Sequence, residues 1–244
     1  MKKVYSILFI GNSYTYYEDM PTAIFQKIAD AAGIEVKVTS VTKGAHTLAK
    51  MADPADVYGA QVQRALTGGE PYDYVILQEQ SLRPALESVG EFYQAVRNLA
   101  ARIRDIGAKP ILYATWGRKT GNAKLTENGW TNESMTWKLA AAYDAIGTEL
   151  NIPVAHAGLA FYDVYTSAPA VELYSADGSH PSYAGSFLAA NTILAKIFQI
   201  DPITVEYSGS LSAENAEILR SAASRAVFQT PEIPEPYRTA SEGV

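Results

Sequence analysis

The chain has 244 residues, of which 48% are hydrophobic and 19% charged, and it carries a formal net charge of −6. That length and balance suit one packed α/β domain rather than a disordered chain or two ordinary domains. The acidic balance excludes the basic footprint that nucleic acid or an anionic membrane surface requires, and the absence of cysteine excludes a disulfide framework, a thiolate metal site and a cysteine nucleophile.

The start of the chain, MKKVYSILFI, imitates a signal peptide, with two lysines before an apolar run. The run ends at Gly11 with no small-residue cleavage site after it, so it reads as a first strand over 4–10. The compartment stays open: cytoplasmic if no leader preceded this start, secreted or periplasmic if one was trimmed. No segment approaches the ~20 apolar residues of a membrane span. Ile24, Phe25, Ile28 and Ala31 then share a helical face that stops at Gly33. A second strand is expected over 35–41 and a third over 74–78. The clearest helix spans 84–106, with Leu86, Val89, Tyr93, Val96, Leu99, Ile103 and Ile106 at spacings of three and four and Gly107 closing it. A fourth strand is expected over 110–116, and the segment 117–132 reads as a polar surface loop or a binding rim. Met135, Leu139, Ala142, Ile146 and Leu150 make another apolar stripe, followed by a short strand over 153–156. Phe187, Ala190, Leu194 and Ile197 mark the next helix, and a last one is expected over 213–228 with Ser212 as its cap. The expected organisation is a domain over 1–228 and an extended or mobile tail over 229–244.

Strand and helix alternate five times, which implies a parallel sheet covered by helices on both faces. In such sheets ligands bind at the carboxyl ends of the strands. The segments 11–13, 42–46, 78–81 and 116–118 should therefore share one edge. Ser13 lies there, after a glycine that lets the backbone turn sharply. A serine hydroxyl is a weak nucleophile and needs a base within hydrogen-bond reach. Of the three histidines, His180 has Asp177 three residues before it, close enough in a turn to orient the imidazole through Nδ1. His46 and His156 have no acidic neighbour in sequence, and the three show no metal-ligand spacing. Donors for a developing oxyanion are available in the N–H of Ser13, the N–H of Gly44 and a carboxamide from Gln78 or Gln80. Asn12, Glu79, Trp116 and Arg118, at the same strand ends, are the candidates for substrate contact. Packing for Trp116 and solvation for Arg118 are the equally weighted alternatives.

These pieces in this order resemble the SGNH/GDSL hydrolase superfamily: G-N-S after the first strand, a lone glycine after the second, an amide side chain after the third, and D-x-x-H near the carboxyl end. The resemblance covers about residues 4–198. It implies a three-layer α/β/α, flavodoxin-like fold with a five-stranded parallel sheet. It also implies a cofactor-free Ser-His-Asp triad of Ser13, His180 and Asp177, with Ser13, Gly44 and a glutamine as oxyanion donors. Two positions depart from the family pattern. Asn12 stands where Asp is frequent, and Gln78-Glu79-Gln80-Ser81 replaces a G-x-N-D block. Related blocks occur in carbohydrate-esterase branches, so the resemblance points to a small acyl ester, acetylated saccharides among them. An acyltransferase using the same serine and a non-catalytic carbohydrate-binding protein on this fold are the alternatives. The sequence does not fix the oligomeric state.

Overall fold

The computed structural model describes residues 3–69 and 71–238. Among them, β1 (Val4–Gly11), β2 (Glu35–Thr42), β3 (Tyr74–Leu77), β4 (Lys109–Ala114) and β5 (Val154–His156) form one sheet. The order is β2-β1-β3-β4-β5 and every pairing is parallel. The chain leaves β1 for β2 on one side and returns to β3 on the other. The direction of winding therefore reverses beside β1, and a crevice opens at the carboxyl ends of β1 and β3.

The helices are α1 (Ser13–Tyr16), α2 (Gln26–Ala31), α3 (Leu48–Ala52), α4 (Val57–Thr67), α5 (Val89–Asp105), α6 (Ala123–Glu127), α7 (Asn132–Leu150), α8 (Ala157–Ser167), α9 (Tyr183–Phe198) and α10 (Ala213–Phe228). Alternating side chains send each inner strand into two cores, as the period of two requires. Ile7 and Phe9 of β1, Ile76 of β3, and Ile111 and Tyr113 of β4 pack with α2, α8, α9 and α10. Leu8, Ile10, Val75, Leu77 and Leu112 pack on the opposite face with α3, α4, α5 and α7. Both faces are covered, which is why these strands read as nearly unbroken apolar runs.

Four segments differ from the sequence expectation. The helix expected over 84–106 is broken: a 3₁₀ turn, Arg83–Ala85, precedes α5, and Leu86 between them is extended (φ −87°, ψ 160°). Its apolar spacing continues through the break because Pro84 is buried as a residue of the same stripe would be. The face of α2 begins earlier, in a π-helical turn, Met20–Phe25. The segment 117–132 is no plain loop, since it holds α6. The described part of the tail, 229–238, is anchored rather than free: Ile233 and Tyr237 pack against Trp137, Ala140 and Leu159. Residues 239–244 of the expected tail lie outside the described residues.

Layer contact is closest where α8 starts. A Cβ on Gly158 would lie 2.1 Å from the carbonyl oxygen of Thr115, in the backbone that follows β4. Helix propensity alone would make Gly158→Ala stabilising by up to about 1 kcal/mol. Overpacking against main chain is expected to reverse the sign and cost about 3 kcal/mol. Urea unfolding midpoints read the difference, and an unchanged or raised midpoint would contradict this contact.

Candidate active site

The nucleophile candidate sits where β1 hands over to α1. Asn12 caps that helix, its Oδ1 accepting the N–H of Tyr14 at 3.1 Å, so Ser13 becomes the first helical residue with its N–H unused by the helix. Gly11 is required for a reason other than a left-handed turn, because its φ is not positive. A Cβ there would lie 2.5 Å from Thr15 Oγ1 and 2.7 Å from Gln78 Oε1. Those two atoms bond each other at 2.9 Å, and Gln78 Oε1 also accepts the N–H of Asn12 at 2.9 Å. The glycine clears room for this buried knot beneath Ser13.

The far end of the chain supplies the base. Asp177 folds the segment before α9 into a tight turn, its Oδ1 accepting the N–H of Ser179 and of His180, each at 2.9 Å. Its Oδ2 lies 2.5 Å from His180 Nδ1, and His180 Nε2 lies 2.8 Å from Ser13 Oγ. Burial pushes the Asp177 carboxyl up, but the bonds from the His180 side chain and from the two backbone N–H groups outweigh it and hold the pKa below the ordinary carboxylate range. The turn is fastened from below: Tyr14 Oη bonds Ser179 Oγ at 2.6 Å, and Trp116 Nε1 donates to the Ser179 carbonyl at 3.1 Å.

The oxyanion candidates divide. Among the described residues no hydrogen bond to another protein group uses the N–H of Ser13 or of Gly44, and both residues line the cleft. Gly44 lies in a turn closed by His46 N–H to the Lys43 carbonyl, and Ala45 in it takes a left-handed φ of 62°. Gln80 lines the same cleft; its Oε1 accepts the N–H of Leu82 at 2.9 Å and of Arg83 at 3.3 Å. Its Nε2 donors make no hydrogen bond among the described residues. Gln78 does not share the site. It is buried, and its Nε2 donates to the Glu79 carbonyl while its Oε1 serves Asn12 and Thr15.

The cleft has a volume of about 650 Å³ and is walled by Tyr16 and Tyr17, by Gly44 and Ala45, by Gln80 and Ser81, and by Arg118 with Asn122 and Lys124. Of the four candidates for substrate contact, the structure brings Arg118 to the cleft wall as a half-buried side chain. Trp116 is a correction: it is fully buried, stacked between Phe161 (3.8 Å between ring centres) and Tyr14 (4.9 Å). Glu79 is another, since its buried carboxylate faces Leu48 and not the cleft. Asn12 touches the cleft, but its side chain is spent on Tyr14 and on the His46 carbonyl. Sequence reasoning missed Tyr17, whose ring lies 4.2 Å from the His180 ring and nearly parallel to it. It also passed over acids for the other two histidines, Asp56 at 3.2 Å from His46 and Asp144 at 2.8 Å from His156. Both acids are ten or more residues away in sequence, and no local pattern marks them.

No family model matches the sequence, and no curated protein does. Solved structures do. A protein from Slackia heliotrinireducens described as a candidate SGNH hydrolase is 32% identical over 80% of this chain and all of its own, with a TM-score of 0.68. The chain belongs to the SGNH hydrolase family. A DUF4886 family protein from Bacteroides uniformis has the same fold over 96% of this chain and 98% of its own, at 17% identity and a TM-score of 0.81. The acetylxylan esterase Axe2 from Geobacillus stearothermophilus shares it over 81% of this chain and 97% of its own, at 17% identity and a TM-score of 0.59. Membership makes the protein a hydrolase, and esterases are among the proteins that share its fold.

Within this SGNH hydrolase, Glu79 carries a cost that can be measured. Burial pushes its carboxyl up to about 7, against the pull of the N–H groups of Gln80 and Leu48. Below about pH 4.5 the group is protonated whether the chain is folded or not. Between about 4.5 and 7 the unfolded chain releases the proton while the folded chain keeps it, so stability falls as pH rises; above 7 the full penalty is in place. The wild type is therefore expected to lose about 3 kcal/mol relative to Glu79→Gln between pH 4.5 and 8. Urea titrations of both proteins across that range test it; a difference that does not change with pH contradicts it.

Proposed function

We propose that this hydrolase cleaves a small acyl ester through a covalent acyl-enzyme on Ser13. The observation that carries the reading is the continuous chain Ser13 Oγ, His180, Asp177, at 2.8 and 2.5 Å, opening into a cleft beside unused backbone donors. His180 Nε2 takes the proton as Ser13 Oγ bonds the acyl carbon, while Asp177 holds the tautomer with the proton on Nδ1 and supports the imidazolium. The carbonyl oxygen becomes an oxyanion, received by the N–H of Ser13, the N–H of Gly44 and the Gln80 carboxamide. His180 then gives its proton to the leaving alcohol. Water replaces the alcohol and bonds the acyl carbon as His180 takes its proton; the acyl bond to Ser13 Oγ then breaks, His180 returns the proton to Ser13 Oγ, and the acid departs. The position of Ser13 at the head of α1 adds the positive end of that short helix to the same charge.

The cleft lining supports a short acyl chain. Apart from Gly44, Ala45, Ala123 and the tyrosine rings, the wall residues are polar or charged, and among the described residues no aliphatic side chain longer than alanine lines the cleft. Long acyl chains need an aliphatic slot. Two tyrosines at the rim suit a sugar as the alcohol half, the kind of substrate that Axe2 is named for. The non-catalytic reading drew on the unusual Gln78-Glu79-Gln80 block. That block is accounted for by the interior bonds of its first two residues, so the motive for that reading is gone.

Hydrolysis of p-nitrophenyl esters from acetate to octanoate is the first test. Activity is expected to peak at acetate and fall steadily with length. Ser13→Ala and His180→Ala should each lose at least about a thousandfold in kcat with the urea midpoint unchanged. Turnover by Ser13→Ala at the wild-type rate would overturn the proposal. Gln80→Leu is expected to cost about a hundredfold in kcat with little change in KM, as loss of one oxyanion donor does.

A further inference from the structure

We infer that the substrate's alcohol half carries a carboxylate, recognised by Arg118; the inference rests on the esterase reading of the same cleft. Arg118 is a half-buried cation in a protein of net charge −6, and no acidic side chain pairs with it among the described residues. Its Nη2 donates to Ser81 Oγ at 3.2 Å, and its Nε is buried without a partner. The acid in this cleft, Asp177, is spent on His180 and on two backbone N–H groups. Lys124 on the same wall pairs with Glu127 at 2.5 Å, which leaves Arg118 as the uncompensated charge. A half-buried cation with unmet donors is stabilised by an anion that enters beside it. Guanidinium geometry favours a planar, two-oxygen partner such as a carboxylate.

The wall that carries Arg118 also says which half of the ester it meets. Lys119 N–H donates to the Gly178 carbonyl at 2.9 Å, and Asn122 Nδ2 donates to the Asp177 carbonyl at 2.9 Å. The segment is thus fastened to the turn that holds His180. The leaving alcohol must receive its proton from His180 Nε2, so it lies against that turn and within the reach of this wall. Two of the proposed oxyanion donors, the N–H groups of Ser13 and Gly44, stand on the turns after β1 and β2, beyond β3 from this wall, while Gln80 sits beside the Ser81 that Arg118 bonds. An O-acetylated sugar acid, with a carboxylate near the acylated hydroxyl, is the substrate class that fits.

The test compares a mono-acetylated methyl glucuronoside with the acetylated methyl glucoside, using wild type, Arg118→Gln and Arg118→Lys, with p-nitrophenyl acetate as the common reference. Wild-type kcat/KM is expected to favour the acidic ester by about tenfold or more, and added salt should shrink the ratio. Arg118→Gln should bring the ratio to within about twofold of one, mainly through KM on the acid, and Arg118→Lys should keep part of it. Independently of any variant, free glucuronate should inhibit wild-type cleavage of p-nitrophenyl acetate and glucose should not. A wild-type ratio at or below one, a ratio unmoved by Arg118→Gln, or equal inhibition by the two sugars overturns the inference. If p-nitrophenyl acetate is cleaved in a Ser13-dependent way while the acidic ester is not, the inference falls and the esterase reading stands. If none of the three esters is cleaved, both fall.

Discussion

The position of Ser13, the proposed nucleophile, depends on one buried acceptor, Gln78 Oε1. It ties the main chain at the end of β1, through Asn12 N–H, to the side chain of Thr15 in α1, and it does so from the end of β3. The crevice of a parallel sheet is only a gap between two diverging connections. Here the gap is bridged by a carboxamide before either connection leaves. Losing that acceptor would strand a buried N–H and a buried hydroxyl, at about 1–3 kcal/mol each. Its cost is steric, since nothing larger than glycine fits at position 11 beside it. The G-N-S sequence is therefore read in three parts: Gly11 makes room, Asn12 caps and is held, and Ser13 is presented.

His180, the proposed base, arrives from 167 residues away, yet its distance from Ser13 is set by the same packing that holds the serine. Tyr14 follows Ser13 and bonds Ser179, which precedes His180. Trp116, stacked on Tyr14, bonds the backbone of the same Ser179. One aromatic column thus braces both partners of the proton transfer, which limits the reorganisation that the reaction would otherwise require. On the solvent side Tyr17 lies flat against His180, and the two residues after it, Glu18 and Asp19, hold left-handed backbone at φ 56° and 48°. Such conformations cost of order 1 kcal/mol or more each and persist where the surroundings over-determine them.

The sheet, its covering helices and the Ser13, Asp177 and His180 set were legible because each has a local signature. Strand runs, helical stripes and a three-residue Asp-to-His spacing survive without any long-range information. What was illegible depends on contacts between distant segments. Gln78 and Gln80 carry the same chemistry two residues apart, so composition cannot separate them. The end of β3 at Leu77 does, because strand alternation no longer holds beyond it: Gln78 bonds Asn12 and Thr15 under β1, and Gln80 lines the cleft. Trp116 sits at a strand end like Arg118, but the column of Phe161 and Tyr14 takes it into the core. The break before α5 was hidden because a 3₁₀ turn and an α-helix place apolar residues at nearly the same period over so short a stretch.

Glu79 shows why a site of this kind carries a destabilising group at its centre. Its two oxygens accept the N–H of Leu48, just beyond the Gly44 turn, and the N–H of Gln80. Those two turns carry Gly44 and Gln80, two of the proposed oxyanion donors, and the Glu79 side chain bonds to both segments. An apolar residue would pack at less electrostatic cost but would leave two N–H groups unpaired, and a hydroxyl has too short a reach to span them. Oε1 accepts from both Leu48 and Gln80, and Oε2 gives Leu48 a second acceptor, which a glutamine could not supply. The carboxylate is thus the side chain whose shape meets both demands, and the desolvation that raises its pKa is the energetic consequence of fixing two loops from one buried point. Stability given up at Glu79 is matched by geometry held at Gly44 and Gln80, where any drift in the donors would weaken the stabilisation of an oxyanion.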